Sequence, residues 1–127
     1  VPTDEEAIRN LIGLHSQLTD DGDYERRVDL YTDDGVFTMG DATSTGRDEL
    51  LATFAATSAP ERRGKHITAN TVMEIEGDTA SARTDFFFSL PSPDGLKPLA
   101  AGRYADVFVK RDGRWLYSRR LITFLGA

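Results

Sequence analysis

Residues 63–77, RGKHITANTVMEIEG, decide the reading of this chain, because they spell a strand with two unlike faces. Period-two alternation puts Ile67, Ala69, Thr71, Met73 and Ile75 on one side and His66, Thr68, Asn70, Val72, Glu74 and Glu76 on the other. The first face is built to pack. The second, with His66 and Asn70, is either plain solvent-facing surface or the polar wall of a cavity. The next run, 79–90 (TASARTDFFFSL), alternates in phase with it if Gly77 and Asp78 make a two-residue hairpin turn. Ala80, Ala82, Thr84, Phe86 and Phe88 then lie beside the apolar face. In that register His66 sits opposite Ser89, Thr68 opposite Phe87, and Asn70 opposite Asp85.

Upstream, Thr3 and Glu6 form a capping box, and a helix is expected over 4–19 with the apolar stripe Ile8, Leu11, Ile12 and Leu18. His15 falls inside that stripe and should face inward; taken alone, it reads as a core-edge histidine bonded to backbone. The helix runs into Asp20-Asp21-Gly22-Asp23. A carboxylate at a helix C-terminus opposes the macrodipole by a few tenths to about 1 kcal/mol, so another partner should hold Asp20 there. Asp23 is the N-cap of a short second helix reaching Tyr31, with Tyr24, Val28 and Tyr31 on one face. The acidic cluster lacks the spacing of a calcium loop. A turn at Asp33-Asp34-Gly35, a short strand over 36–39, a polar loop over 40–45 and a third helix over 46–58 follow, the helix carrying Leu50, Leu51, Phe54 and Ala55.

Downstream of the phenylalanine run, 91–95 (PSPDG) is a turn-rich loop. Segments 102–111 and 114–124 form a hairpin about Asp112-Gly113 that puts Asp106 opposite Arg119, a charge pair read as structural, with Tyr104, Phe108, Trp115, Tyr117 and Leu121 on one face. Helices followed by antiparallel strands make an α+β pattern in which helices cover one face of a strongly curved sheet, a cone with a pocket.

Bulk properties narrow the function. At 127 residues the chain has room for a single domain, residues 1–127. A net charge of −6 argues against nucleic acid or an anionic membrane as partner. With no cysteine, thiolate chemistry and disulfides are excluded. The acidic, polar N-terminus does not resemble a signal peptide and no apolar run approaches a membrane span, so a cytoplasmic protein is expected. No G-x-S-x-G elbow, phosphate loop or H-E-x-x-H is present, and two distant histidines make a poor zinc site. What remains is acid–base chemistry: a carboxylate on one ring nitrogen of a histidine fixes the tautomer so that the other nitrogen takes a proton. On spacing alone, an Asp20–His66 dyad and two unrelated residues are both open readings.

The order Leu18-Thr19-Asp20-Asp21-Gly22-Asp23-Tyr24, Leu30-Tyr31-Thr32-Asp33-Asp34-Gly35, Lys65-His66 with Asn70, Gly77-Asp78-Thr79-Ala80, Gly102-Arg103-Tyr104-Ala105-Asp106 and Asp112-Gly113-Arg114-Trp115 resembles the SnoaL-like branch of the nuclear transport factor 2-like superfamily. The resemblance covers nearly the whole chain. It implies a cone-shaped α+β barrel, with N-terminal helices packed on a strongly curved, mostly antiparallel β-sheet. Similar members include scytalone dehydratase, bile-acid dehydratases and polyketide cyclases; steroid isomerases, epoxide hydrolases and non-catalytic binding or assembly subunits are relatives. By position, the dehydratases' catalytic aspartate falls on Asp20 and their strand histidine on His66. A tyrosine one turn before the aspartate in the bile-acid enzymes is replaced by His15. The second histidine of scytalone dehydratase falls near Ser89, and its serine and asparagine near Gly102 and Tyr104.

The resulting expectation is an acid–base lyase or isomerase acting, without a cofactor, on a small hydrophobic cyclic or polyketide-like molecule. The alternative is a non-catalytic ligand-binding or assembly module. His66 would be the base, Asp20 its orienting partner, and His15, Tyr24 or Tyr104 a donor. Leu14, Leu18, Tyr24, Tyr31, Phe54 and Phe87 would line the pocket, with Asn70, Ser89 and Tyr104 as further substrate contacts. A homo-oligomer, most simply a dimer, with a trimer as the other geometry, is expected on the outer sheet surface, because the strands carry apolar residues on one face and aromatics such as Trp115 and Tyr117 on the other.

Overall fold

The capping box does start the first helix. In the computed structural model, which describes residues 1–126, the Thr3 hydroxyl accepts from the Glu6 backbone N–H at 3.1 Å and the Glu6 carboxylate accepts from the Thr3 N–H at 2.7 Å. Helix α1 (Asp4–Asp21) ends at Gly22, whose φ of 72° is the left-handed conformation that glycine adopts without strain. Its inward side carries Ile8, Leu11, Ile12, His15, Ser16, Leu18 and Asp20. Helix α2 (Tyr24–Val28) is capped by the Asp23 side chain and stops three residues earlier than expected. Tyr31 is already strand, since its neighbour Leu30 gives its carbonyl to Tyr117 N–H across the sheet.

Strand β1 (Tyr31–Met39) absorbs Asp33-Asp34-Gly35 as an irregularity, and β2 (Ala42–Thr45) pairs antiparallel with it. The segment expected as a polar loop is therefore half of a hairpin, held in register by Val36 opposite Thr45. Helix α3 (Arg47–Ala56) buries Leu50 and Phe54. The strands β3 (Lys65–Glu76), β4 (Thr79–Ser92), β5 (Gly95–Arg111) and β6 (Arg114–Phe124) complete a six-stranded sheet of order β2-β1-β6-β5-β4-β3. Only the β1–β6 pairing is parallel. The helices cover the concave face, and Ile8, Val28, Leu50, Phe54, Phe108 and Tyr117 form the dry centre between the layers. Complete burial of a side chain such as Phe54 contributes roughly 1.5 to 3 kcal/mol.

Two β-bulges change which residues face that centre. In β3 the register with β4 slips between Ala69 and Val72, where Asn70 takes a φ of 56°. Asparagine is among the few residues that tolerate this conformation, and one extra residue turns the alternation over. C-terminal to the bulge the odd residues Thr71 and Met73 point inward, as expected; N-terminal to it, the even residues His66 and Thr68 do. His66 accordingly faces Phe88 rather than Ser89, and Thr68 faces Phe86 rather than Phe87. In β6 an extra residue at Ser118 has the same effect. Asp106 pairs with Arg120, not Arg119, and Ile122 rather than Leu121 turns inward.

Candidate active site

The end of α1 and the start of β3 meet at one carboxylate. Asp20 is buried, and its Oδ1 lies 2.5 Å from His66 Nδ1. The backbone N–H of His66 also donates to the same carboxylate, at 3.0 Å to Oδ2 and 3.2 Å to Oδ1. These donors are the partner that the helix-end position called for. An ionised carboxylate only accepts, so Nδ1 carries a proton and Nε2 of the neutral ring is the basic atom. His66 lines a cavity of about 420 Å³, and Phe88 supports its ring at 4.4 Å between centroids.

That cavity runs from Phe37 and Met39 of β1, past Thr53 of α3 and Thr57 just beyond its end, to Phe86, Phe88, Leu90, Ile122 and Phe124 of the sheet. His15, Ser16, Thr19, Arg27, Tyr104 and Arg120 supply its polar groups, while Glu61, Arg62 and Leu99 sit at an exposed rim. Its wall is mainly apolar with a few convergent polar atoms, the composition of a small-molecule site.

Behind the wall lies a second polar cluster. Arg120 grips Asp106 with two hydrogen bonds, Nε to Oδ1 at 2.8 Å and Nη2 to Oδ2 at 3.0 Å, and also donates to the Tyr117 hydroxyl at 3.0 Å. Burial opposes its charge, but the Asp106 carboxylate more than offsets this and holds the guanidinium ionised. Arg120 Nη1 lies 3.3 Å from His15 Nδ1. Arginine has no acceptor, so Nδ1 must accept and Nε2 must carry the proton, which it donates to the Tyr31 hydroxyl at 2.9 Å. Burial first, and then the charges of Arg120 and Arg27, push the His15 pKa well below its ordinary value, so the ring is neutral. Tyr104 is clamped between Phe86, stacked at 4.4 Å, and the Arg120 guanidinium, 3.7 Å above its ring. Burial raises its pKa, and its hydroxyl has no protein hydrogen bond among the described residues.

Of the residues expected in the pocket, the structure gathers His15, His66 and Tyr104 on the cavity wall, with Asp20 directly behind His66. Leu18, Tyr31 and Phe54 are core residues beneath it, while Leu14 and Tyr24 pack at the core's edge. The two inverted alternations remove others. Phe87 points outward and is 64% exposed, with Phe86 and Phe88 in its place. Asn70 serves the bulge and donates to Asp85 on the outer surface at 3.1 Å, and Ser89 pairs with Lys65 away from the cavity. Trp115 and Tyr117, expected on the sheet's other face, are buried on the concave side. Sequence reasoning missed Ser16, Arg27 and Arg120. Arg27 had a legible signal, since it stands one helical turn from Tyr24 and from Tyr31 on the face assigned inward.

Helices closing a curved, mostly antiparallel sheet over an internal cavity define the nuclear transport factor 2-like, cystatin-like fold. The chain belongs to the SnoaL-like domain family, which it matches over residues 2–121. Among solved structures, a Mycobacterium tuberculosis protein of unknown function is 28% identical, with a TM-score of 0.88 over 94% of this chain and 70% of its own. A nuclear transport factor 2-like protein with a cystatin-like fold from Novosphingobium aromaticivorans is also 28% identical, with a TM-score of 0.85 over 98% of this chain and 83% of its own. A second protein from that organism, named provisionally as a scytalone dehydratase, shares the fold at 22% identity and a TM-score of 0.83, over 94% and 82%. No curated protein matches the sequence.

Proposed function

We propose that this protein is an acid–base enzyme of the dehydratase, isomerase or cyclase type, acting on a small, mainly hydrophobic cyclic or polyketide-like molecule. One observation carries the reading: Asp20 holds His66 by ring and backbone together, with the imidazole on the wall of an apolar cavity. A carboxylate oriented in this way sets the tautomer of a base and stabilises the imidazolium that forms. His66 Nε2 takes a proton from the carbon next to a carbonyl, and the C–H electron pair moves to the carbonyl oxygen. The Tyr104 hydroxyl donates to that developing oxyanion, its ring held by Phe86 and Arg120. Return of the proton to a hydroxyl on the adjacent carbon expels water in a dehydratase; return to a different carbon completes an isomerisation. His15 keeps its place in the wall as a neutral ring that orients Tyr31, instead of acting as the proton donor.

The test uses solvent exchange, which needs no knowledge of the natural substrate. Enolisable cyclic ketones such as 2-tetralone are incubated in D₂O with the protein, and α-proton loss is followed by NMR. Acceleration that disappears in His66→Ala supports the reading. Equal exchange in the two proteins removes His66 as the base, and no acceleration by either leaves the cavity as a binding site without turnover.

A further inference from the structure

Arg27 is the unusual group in this cavity. It is 7% exposed, its Nε is buried without a hydrogen-bond partner, and among the described residues no carboxylate lies within ion-pair distance. Asp20 is engaged by His66 and Asp106 by Arg120, so neither is free to neutralise it. Glu61, at the exposed rim, makes no ion pair with it. What holds the guanidinium is aromatic: its carbon lies 3.7 Å from the centroid of Phe54 and 5.5 Å from that of Phe37. Burial pulls its pKa down to about 10, which still leaves it charged at neutral pH. A buried arginine without an anion is costly, and proteins otherwise pair such groups. Ser16 repeats the pattern on the neighbouring helix: its hydroxyl is buried, lines the same cavity and has no partner.

We infer that the cavity takes an anionic ligand, a small and mostly apolar molecule whose one negative oxygen group docks on Arg27 with Ser16 beside it. A guanidinium stacked on an aromatic ring presents its edge N–H groups in the plane, the arrangement that suits a carboxylate or another delocalised oxyanion. The anion neutralises the buried, unmatched charge of Arg27, and the apolar body lies along the phenylalanines toward His66. This inference rests on reading the cavity as a ligand site but not on turnover there. It deepens the proposed function by making the substrate an acid: a carboxylate, or an enol acidic enough to be ionised at neutral pH.

Two matched pairs of probes test it by titration calorimetry: naphthalene-2-carboxylate against naphthalene-2-carboxamide, and 4-hydroxycoumarin against coumarin. A charge-assisted hydrogen bond made on binding predicts roughly 10- to 100-fold preference for the ionised member of at least one pair. The pair that shows it tells carboxylate from enolate. Arg27→Met, which keeps the length and apolar stem, should reduce that preference to less than about threefold, and Arg27→Lys should retain part of it. Equal affinity of the wild-type protein for charged and neutral members, or no binding of either anion at millimolar concentration, overturns the inference whether or not the Met variant folds. So does an undiminished preference in a folded Arg27→Met. Loss of exchange activity in His66→Ala with anion preference intact separates the two readings. Preference without wild-type exchange on an enolisable keto acid such as 3-oxoindane-1-carboxylate sinks the acid–base proposal alone, and exchange without preference sinks this one alone.

Discussion

Asp106→Asn should destabilise the fold far more than its small change in shape suggests. The native carboxylate accepts from Arg120 Nε at 2.8 Å and from Nη2 at 3.0 Å, and both residues are about 2% exposed or less. The amide keeps one acceptor for Nε but turns an N–H donor toward Nη2, so one hydrogen bond becomes a donor–donor contact. The guanidinium loses its counter-charge while staying almost wholly buried. Breaking one side of a buried pair costs about 3 to 5 kcal/mol, a large share of the roughly 5 to 15 kcal/mol that holds an ordinary domain together. Urea unfolding read by Trp115 fluorescence measures this as a fall in midpoint at unchanged slope. The double replacement Asp106→Leu with Arg120→Met removes both charges and should recover at least half of the loss. It should not recover all, because His15 and Tyr117 also lose the donor that Arg120 gives them. A single-variant loss below about 1 kcal/mol, or a double variant weaker than the single, would refute the claim that this pair is dry and mutually dependent.

Asp20→Asn and His66→Ala should each lower exchange activity by about 10²- to 10⁴-fold, and the double variant should be no worse than the poorer single one, since each side chain is useful only with the other; additive losses would break the dyad apart. His15 gives a pH signature. Its folded pKa lies well below the ordinary 6.5, so the unfolded chain binds the proton first as pH falls. Stability should therefore drop below pH 6.5 with a slope approaching 1.4 kcal/mol per pH unit, and equilibrium unfolding should find that slope missing in His15→Phe between pH 6.5 and about 4.5, above most carboxylate titrations. Finally, Ile67, Val72, Phe87 and Val107 are exposed apolar residues on the convex sheet face. A dimer through that face is expected in sedimentation at micromolar concentration, with Phe87→Lys shifting it to monomer; a wild-type monomer would count against it.

Much of this architecture could be read from the chain because its punctuation is local. The Thr3–Glu6 box, Gly22 and the turns at Gly77-Asp78 and Asp112-Gly113 each act through neighbours within a few residues, and the elements begin and end close to them. Asp20 was legible for a different reason: a carboxylate at the wrong end of a helix dipole needs a partner, and His66 N–H and Nδ1 are that partner. The pocket wall was less legible. Alternation is self-consistent on either side of Asn70 and of Ser118, and neither residue announces that the phase changes there. The errors at Phe87, Ser89, Asn70 and Arg119 all descend from those two positions. Arg27 was passed over because a charged side chain on a short helix is ordinarily solvated, although its spacing from Tyr24 and Tyr31 put it on the inward face, where its surroundings bury it.

The bulge at Asn70 makes β3 a message in two reading frames. His66 is aimed at the cavity by the bulge between it and the turn at Gly77, whereas Met73, on the turn side of the shift, is aimed by the turn alone. Substituting glycine for Asn70 preserves the count and the left-handed backbone, and so leaves both frames in place. Removing the residue leaves a regular ladder, with Ala69 opposite Asp85, Thr71 opposite Thr84 and His66 still opposite Phe88; straightening the strand with every residue kept would instead swing His66 to the convex face and bring Ile67 into the cavity. The aim of His66 is thus a property of one left-handed residue rather than of any side chain around the ring, and a substitution at position 70 that forced the strand straight would part His66 from Asp20 where loss of the residue would not.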